Sequence, residues 1–124
     1  MTTKPRRHKA LVLSYAGCST CKKALSWLRD HDVEVDVRPI VESPPTAAEL
    51  DVWVPKSGRP VRKWLNTSGQ SYRAIDKARA AAAKDEEILR WLAKDGKLVK
   101  RPVIVAGGRV LVGFDEKAYA EAFA

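Results

Sequence analysis

The sequence predicts an α/β fold: a mixed β-sheet with flanking helices and a helical insertion at its centre. Three observations predict it. Strand, helix and strand patterns follow one another over residues 10–40, and residues 44–98 hold no convincing strand. Strand patterns then return as a hairpin ahead of a last helix.

Each element has its own warrant. Residues 10–16 (ALVLSYA) are a short apolar run ended by Gly17, the pattern of a buried strand. From Ser19 the pattern turns helical, with Cys21, Leu25 and Leu28 at i, i+4 and i+7 on one face, until His31 and Asp32 interrupt it. Residues 33–40 alternate Val33, Val35 and Val37 with acidic neighbours, as a half-buried strand does. Two strands joined by a helix over so short a stretch form a βαβ unit, with parallel strands and a right-handed crossover.

The middle is helical. Prolines precede Thr46, and Glu49 stands three residues after it, a capping box that opens a helix. A second short helix is expected over residues 60–65, closed by the turn-rich NTSG of residues 66–69. Residues 72–96 are alanine-rich and read as helix broken near Asp85, which can cap a segment ending at Gly96. Apolar runs at residues 103–105 and 110–112 then flank AGG, a hairpin signal. Asp115 begins a last helix whose Ala118, Tyr119, Ala122 and Phe123 share a face. The order βαβ, helices, ββα is the thioredoxin plan with an insertion at its centre.

A length of 124 residues predicts a single domain over residues 10–124, with the insertion at about 44–98 and residues 1–9 as a basic, flexible tail. No stretch approaches the roughly 18 apolar residues of a membrane span, so no membrane partner is expected. The apolar run after the basic start is too short for a signal peptide, which predicts a cytoplasmic protein whose thiols are kept reduced. The formal net charge is +8, and residues 55–101 carry thirteen Lys/Arg against five acids. Such a surplus fits an acidic protein face, an oxyanion or nucleic acid, or simply solvated helix faces. Basic residues are not interleaved with aromatics, so direct nucleic-acid binding is not expected. A monomer is expected.

Cys18 and Cys21 are the only cysteines. A structural zinc site needs four Cys/His ligands, and the remaining candidates, His8 and His31, stand in the basic tail and at the far end of the first helix. A structural disulfide would close a tiny loop in a reducing compartment. A redox pair fits better. Cys18 falls in the turn between strand and helix, where the orphan N–H groups and the helix dipole favour a thiolate. Cys21 lies one turn inside, close enough to resolve a mixed disulfide on Cys18. Two packed cysteines without chemistry stay open as the alternative. Further on, Pro102 in VKRPV stands where thioredoxin-like folds place a cis proline beside the active cysteines. Arg101 would then extend toward Cys18 to stabilise a thiolate or an oxyanion, or else face solvent at a strand edge.

With CSTCKKALSWL, KRPV and VGFDEKAY in this order, the chain resembles the family that joins ArsC-type arsenate reductases, Spx-type transcription regulators and their small thiol-oxidoreductase relatives. The resemblance covers everything after the basic tail, including SGRPVRKWLNTSGQSYRAI in the insertion. It implies that Cys18 matches the nucleophilic cysteine, Arg101 the arginine before the cis proline, and Pro102 that proline. It also implies two further arginines that hold an oxyanion, and here the chain departs: Asn66 stands at one of those positions and LVGF where the other belongs. Efficient arsenate reduction is therefore not expected, because the oxyanion loses most of its charge-assisted contacts. Arg62, Lys63 and Arg73 are the insertion's candidate substitutes.

The resulting expectation is a thiol–disulfide oxidoreductase with Cys18, Cys21 and Arg101 as catalytic residues, and Pro102 and Asn66 positioning the substrate. It has no bound cofactor or metal, and takes electrons from glutathione or from thioredoxin or glutaredoxin. Its partner is a small thiol or disulfide protein. The alternative is an Spx-like redox-sensing regulator that binds RNA polymerase.

Overall fold

The computed structural model describes residues 8–124. Four strands, β1 (His8–Ser14), β2 (Val33–Pro39), β3 (Val103–Ala106) and β4 (Arg109–Val112), form one sheet in the order β2-β1-β3-β4. β1 and β2 run parallel, joined by α1 (Ser19–Asp30), while β1–β3 and β3–β4 are antiparallel. Between β2 and β3 come α2 (Ala47–Ser57), a 3-10 turn (Val61–Trp64), α3 (Gln70–Arg73), α4 (Lys77–Ala82), α5 (Asp85–Lys94) and a second 3-10 turn (Gly96–Leu98). The last helix is α6 (Glu116–Ala122). This is the thioredoxin-like mixed sheet with its central helical insertion.

The period-two geometry of the strands divides the core. Ala10, Val12, Val33 and Ile104 face one side and pack with Ala24 and Leu28 of α1 and Tyr119 of α6. Leu13, Val103, Val110 and Val112 face the other side and pack with the insertion, among them Leu50, Trp53, Trp64, Ile88 and Leu92. The insertion is thus not an appendage. It supplies one whole layer of the fold.

Several expectations need correction. The expected flexible tail lies outside the described residues except for His8 and Lys9, and those two pair with Val33 and Glu34 as the first rungs of β1–β2. Val37, on the edge strand β2, is exposed rather than half-buried. The alanine-rich stretch is broken near Asp85 as expected, at Ala83 and Lys84, and is broken once more between α3 and α4. Asp76 caps α4 through its carboxylate, and α5 starts from Lys84 with Asp85 as its first residue rather than its cap. The acids Asp85, Glu86 and Glu87 still serve the helix start, by facing the positive end of its dipole. The end of α4 is capped from a distance: the Arg62 guanidinium donates to Ala80 O at 2.9 Å and Ala83 O at 2.7 Å.

The Thr46–Glu49 capping box is present, with both reciprocal hydrogen bonds. Glu49 also receives a bidentate pair from Arg38 at the end of β2, at 2.8 and 2.9 Å. This Arg38 pair pulls the Glu49 carboxyl below its ordinary range, against the opposing effect of partial burial. One carboxylate therefore both opens α2 and ties it to the sheet.

Candidate functional site

The site begins where β1 ends. Cys18 N–H donates to Tyr15 O at 3.0 Å, closing the turn that leads into α1. Cys18 is the N-cap of α1, in extended backbone geometry, and its Sγ accepts the Cys21 N–H at 3.2 Å. A sulfur thus takes the place of the usual capping oxygen, on an orphan donor of the first turn. Cys18 is partly exposed, whereas Cys21, one turn on, is only 1% exposed and packs inward.

The two thiols are electrically unlike. Burial opposes ionisation of Cys18, but hydrogen bonds from the Cys21 thiol and N–H, together with the hydrogen bond and charge of Arg101, outweigh it and lower its pKa. Burial raises the Cys21 pKa, and the neighbouring Cys18 sulfur raises it further, against smaller opposing effects from Tyr15 and Ser14. Cys18 is thus the more acidic and Cys21 the less acidic thiol of the pair.

Arg101 reaches the site because of the segment that carries it. The Arg101–Pro102 peptide bond is cis, Pro102 is buried, and its carbonyl accepts the Gly113 N–H at 2.8 Å. On the other flank Leu65 and Val99 form an antiparallel bridge, with Asn66 N–H donating to Leu98 O and Lys100 N–H to Trp64 O, both at 2.7 Å. That short ladder, within a stretch expected to hold no strand, lays the NTSG turn beside the segment leading to β3. It brings Asn66 and Arg101 to one cleft with Cys18.

The cleft has a volume of about 520 Å³ and lies between the N-terminus of α1, the NTSG turn and the β4–α6 loop. Asn66 is on its wall, its Nδ2 donating to Lys97 O at 3.3 Å and its Oδ1 accepting from Ser68 Oγ at 3.2 Å. Gly69 lies close under this side chain, and a Cβ there would stand 2.7 Å from Asn66 Nδ2 and displace the amide. Of the sequence-predicted residues, Cys18, Asn66 and Arg101 share the cleft, while Cys21 and Pro102 are buried. The candidate substitutes Arg62, Lys63 and Arg73 do not line it: Arg62 is spent on the end of α4, and it and Arg73 border a different cavity. Two cations that sequence reasoning missed, Arg59 and Lys100, do line it. Lys100 was legible as the neighbour of Arg101. Arg59 had no local signal.

Among the described residues no group of three or more His, Cys, Asp or Glu is placed to hold a metal ion, and no helix is long and apolar enough to cross a membrane.

The chain is similar to several known proteins. The protein YusI of Bacillus subtilis is 40% identical over 111 residues, covering 89% of this chain and 94% of that protein. The regulatory protein MgsR, also of Bacillus subtilis, is 26% identical over 82% of this chain and 80% of its own. The crystal structure of an ArsC family related protein from Bacteroides fragilis superposes with a TM-score of 0.87 at 42% identity, covering 93% of this chain and 97% of that one. The sequence model of the ArsC family matches residues 13–122, from the end of β1 to the end of α6. A match that takes in the cysteine turn, the helical insertion, the cis proline and the closing hairpin leaves one conclusion: the chain belongs to the ArsC family, and carries its two cysteines as a C-x-x-C pair.

Proposed function

We propose that the protein is a thiol–disulfide oxidoreductase in which Cys18 attacks and Cys21 resolves. The observation that carries this reading is the capping geometry: the Cys18 sulfur accepts a helix N-terminal N–H, beside Arg101, with the second thiol one turn inside. Cys18 attacks a substrate disulfide and forms a mixed disulfide. Cys21 then displaces the substrate thiol and closes the Cys18–Cys21 bond. Arg101 stabilises the attacking thiolate, and Asn66 and Pro102 shape the substrate's seat. A cytoplasmic thiol system, glutathione or thioredoxin with glutaredoxin, returns the pair to the reduced state.

Trapping tests this order. A Cys21→Ser variant exposed to a disulfide substrate should accumulate a mixed disulfide at Cys18, visible by intact mass and peptide mapping. A Cys18→Ser variant should not react. Stable adducts on Cys21 in the latter would reverse the roles.

A second reading has one observation in its favour, the similarity to a protein named as a regulator across four-fifths of this chain. In it the same cysteine pair is an oxidation switch on a module that binds RNA polymerase. Purified RNA polymerase retained by the oxidised protein but not by the reduced one would favour that reading. Equal retention, or none, would leave it without support.

A further inference from the structure

The cleft beside Cys18 is lined by three cations, Arg59, Lys100 and Arg101, against a single acid, Asp115. That acid is already engaged, since its Oδ1 accepts the Lys117 N–H at 3.0 Å as the N-cap of α6. Among the described residues, no salt bridge occupies any of the three cations. Arg101 serves the thiolate. Arg59 and Lys100 have no such assignment.

Both are delivered by specific backbone geometry. Arg59 follows Gly58, whose φ of 69° ends α2 in the left-handed region, and its N–H donates to Ser57 Oγ at 3.2 Å. The Lys100 N–H is held by Trp64 O, and its side chain extends over Gly113, where a Cβ would meet Lys100 Cε at 3.5 Å. Both side chains are exposed, so neither is recruited by packing. The recess they border, about 520 Å³, is within the roughly 300–1,000 Å³ of small-molecule sites. Concave surfaces lined by one sign of charge concentrate ligands of the other. Guanidinium and ammonium groups free of internal partners match carboxylates.

Resting on the thiol-exchange reading above, we propose that Arg59 and Lys100 form a carboxylate subsite that selects small anionic disulfides as the substrates of Cys18. In such a ligand the charge and the electrophile are separate. The carboxylates take the two cations, while a neutral sulfur, which a thiolate does not repel, faces Cys18. The Cys18 thiolate attacks one sulfur of R–S–S–R, the S–S bond breaks, and R–S⁻ leaves as Cys18–S–S–R forms. Cys21 loses its proton to solvent, attacks the Cys18 sulfur and releases the second R–S⁻. The ligand gains two electrons and becomes two thiols, and the protein loses two and holds the Cys18–Cys21 disulfide. This half-reaction needs no other reactant.

The test compares two probe disulfides: 3,3′-dithiodipropionate, a dianion, and bis(2-hydroxyethyl) disulfide, which is neutral. The rate of oxidation of the reduced protein is followed with each, in wild type, in Arg59→Gln/Lys100→Gln and in Lys84→Gln/Arg90→Gln. The last pair removes the same charge from exposed positions on and beside α5, which does not line the cleft. The ratio of dianion to neutral rates should fall about tenfold in the first double variant and stay within about twofold of wild type in the second, as expected of local contacts rather than bulk charge. Adipate, a dicarboxylate without sulfur, should slow the wild-type reaction at constant ionic strength, which supports the subsite without any variant. A ratio that falls equally in both double variants, or an adipate effect reproduced by chloride, would overturn the subsite and leave the thiol-exchange reading standing. Failure of wild type to react with either disulfide would overturn the thiol-exchange reading itself.

Discussion

The guanidinium carbon of Arg101 lies 4.5 Å from the centroid of the Tyr15 ring. The ring also leans over the cysteine turn, since a Cβ on Gly17 would sit 3.1 Å from Tyr15 Cε2. Tyr15 therefore holds by its face the cation that helps lower the Cys18 pKa, and Tyr15 O closes the turn. A cation–π contact at a partly exposed site is worth about 0.5–1 kcal/mol. Tyr15→Leu should raise the apparent pKa of Cys18 by roughly half a unit, at about 1.4 kcal/mol per unit. Tyr15→Phe keeps the ring and should keep the wild-type value. The pH dependence of Cys18 alkylation measures both.

The opposite shifts of the two thiols set a pH order. Cys18 is lowered from an ordinary value of 9.0 and Cys21 is raised from the same value. Iodoacetamide at mildly acidic pH, followed by peptide mapping, should label Cys18 first. Between the lowered pKa of Cys18 and 9.0, the folded protein has released a proton that the unfolded chain still binds. The Cys18 contribution to stability is therefore present above 9.0 and is lost as pH falls through the folded-state value. Urea titrations of wild type and Cys18→Ser across this range should diverge as pH rises from neutral toward 9.0, the point at which the opposing shift of Cys21 enters.

Asn66 places a neutral amide on the cleft wall, at the position where the resemblance implies an arginine. Arsenite production from arsenate, with glutathione and glutaredoxin present, should be slow. Asn66→Arg should raise it about tenfold, the scale of one added charge-assisted contact near the reacting centre. Cys18→Ser should abolish it in both backgrounds. Rapid wild-type turnover that disappears in Arg59→Gln/Lys100→Gln would show that the cleft's own cations replace the missing arginine.

Gly96 is buried where the insertion returns to the sheet, and a Cβ there would lie 1.9 Å from Ile40 O. The clash is with backbone, so no side chain can move to relieve it. Gly96→Ala should destabilise the fold by about 3 kcal/mol, at the upper end of overpacking costs. Gly107→Ala, in the β3–β4 turn at a φ of 58°, meets no neighbouring atom and should cost only about 1 kcal/mol of backbone strain. Chemical denaturation of the two variants would separate close approach from left-handed strain.

The sequence alone determined whatever depends on residues a few positions apart. The apolar run of β1, the capping box at Thr46 and Glu49, the face of α6 and the placement of Cys18 at the start of α1 are local patterns, and each is present, β1 two residues earlier than the run of residues 10–16 implies. Arg101 was legible for the same reason, being fixed to Pro102 and hence to the start of β3. Tertiary structure decided which other cations reach the cysteine. Arg62 and Arg59 stand three residues apart and both are exposed, yet one ends at the carbonyls of α4 and the other at the cleft. Nothing in their neighbourhood separates them. Their fates follow from where the insertion folds back, which is set by contacts far apart in sequence: the Leu65–Val99 bridge, the Gly96–Ile40 approach and the Arg38–Glu49 pair. A helix cap or a strand face is a property of neighbours along the chain, whereas a cleft is assembled from distant segments.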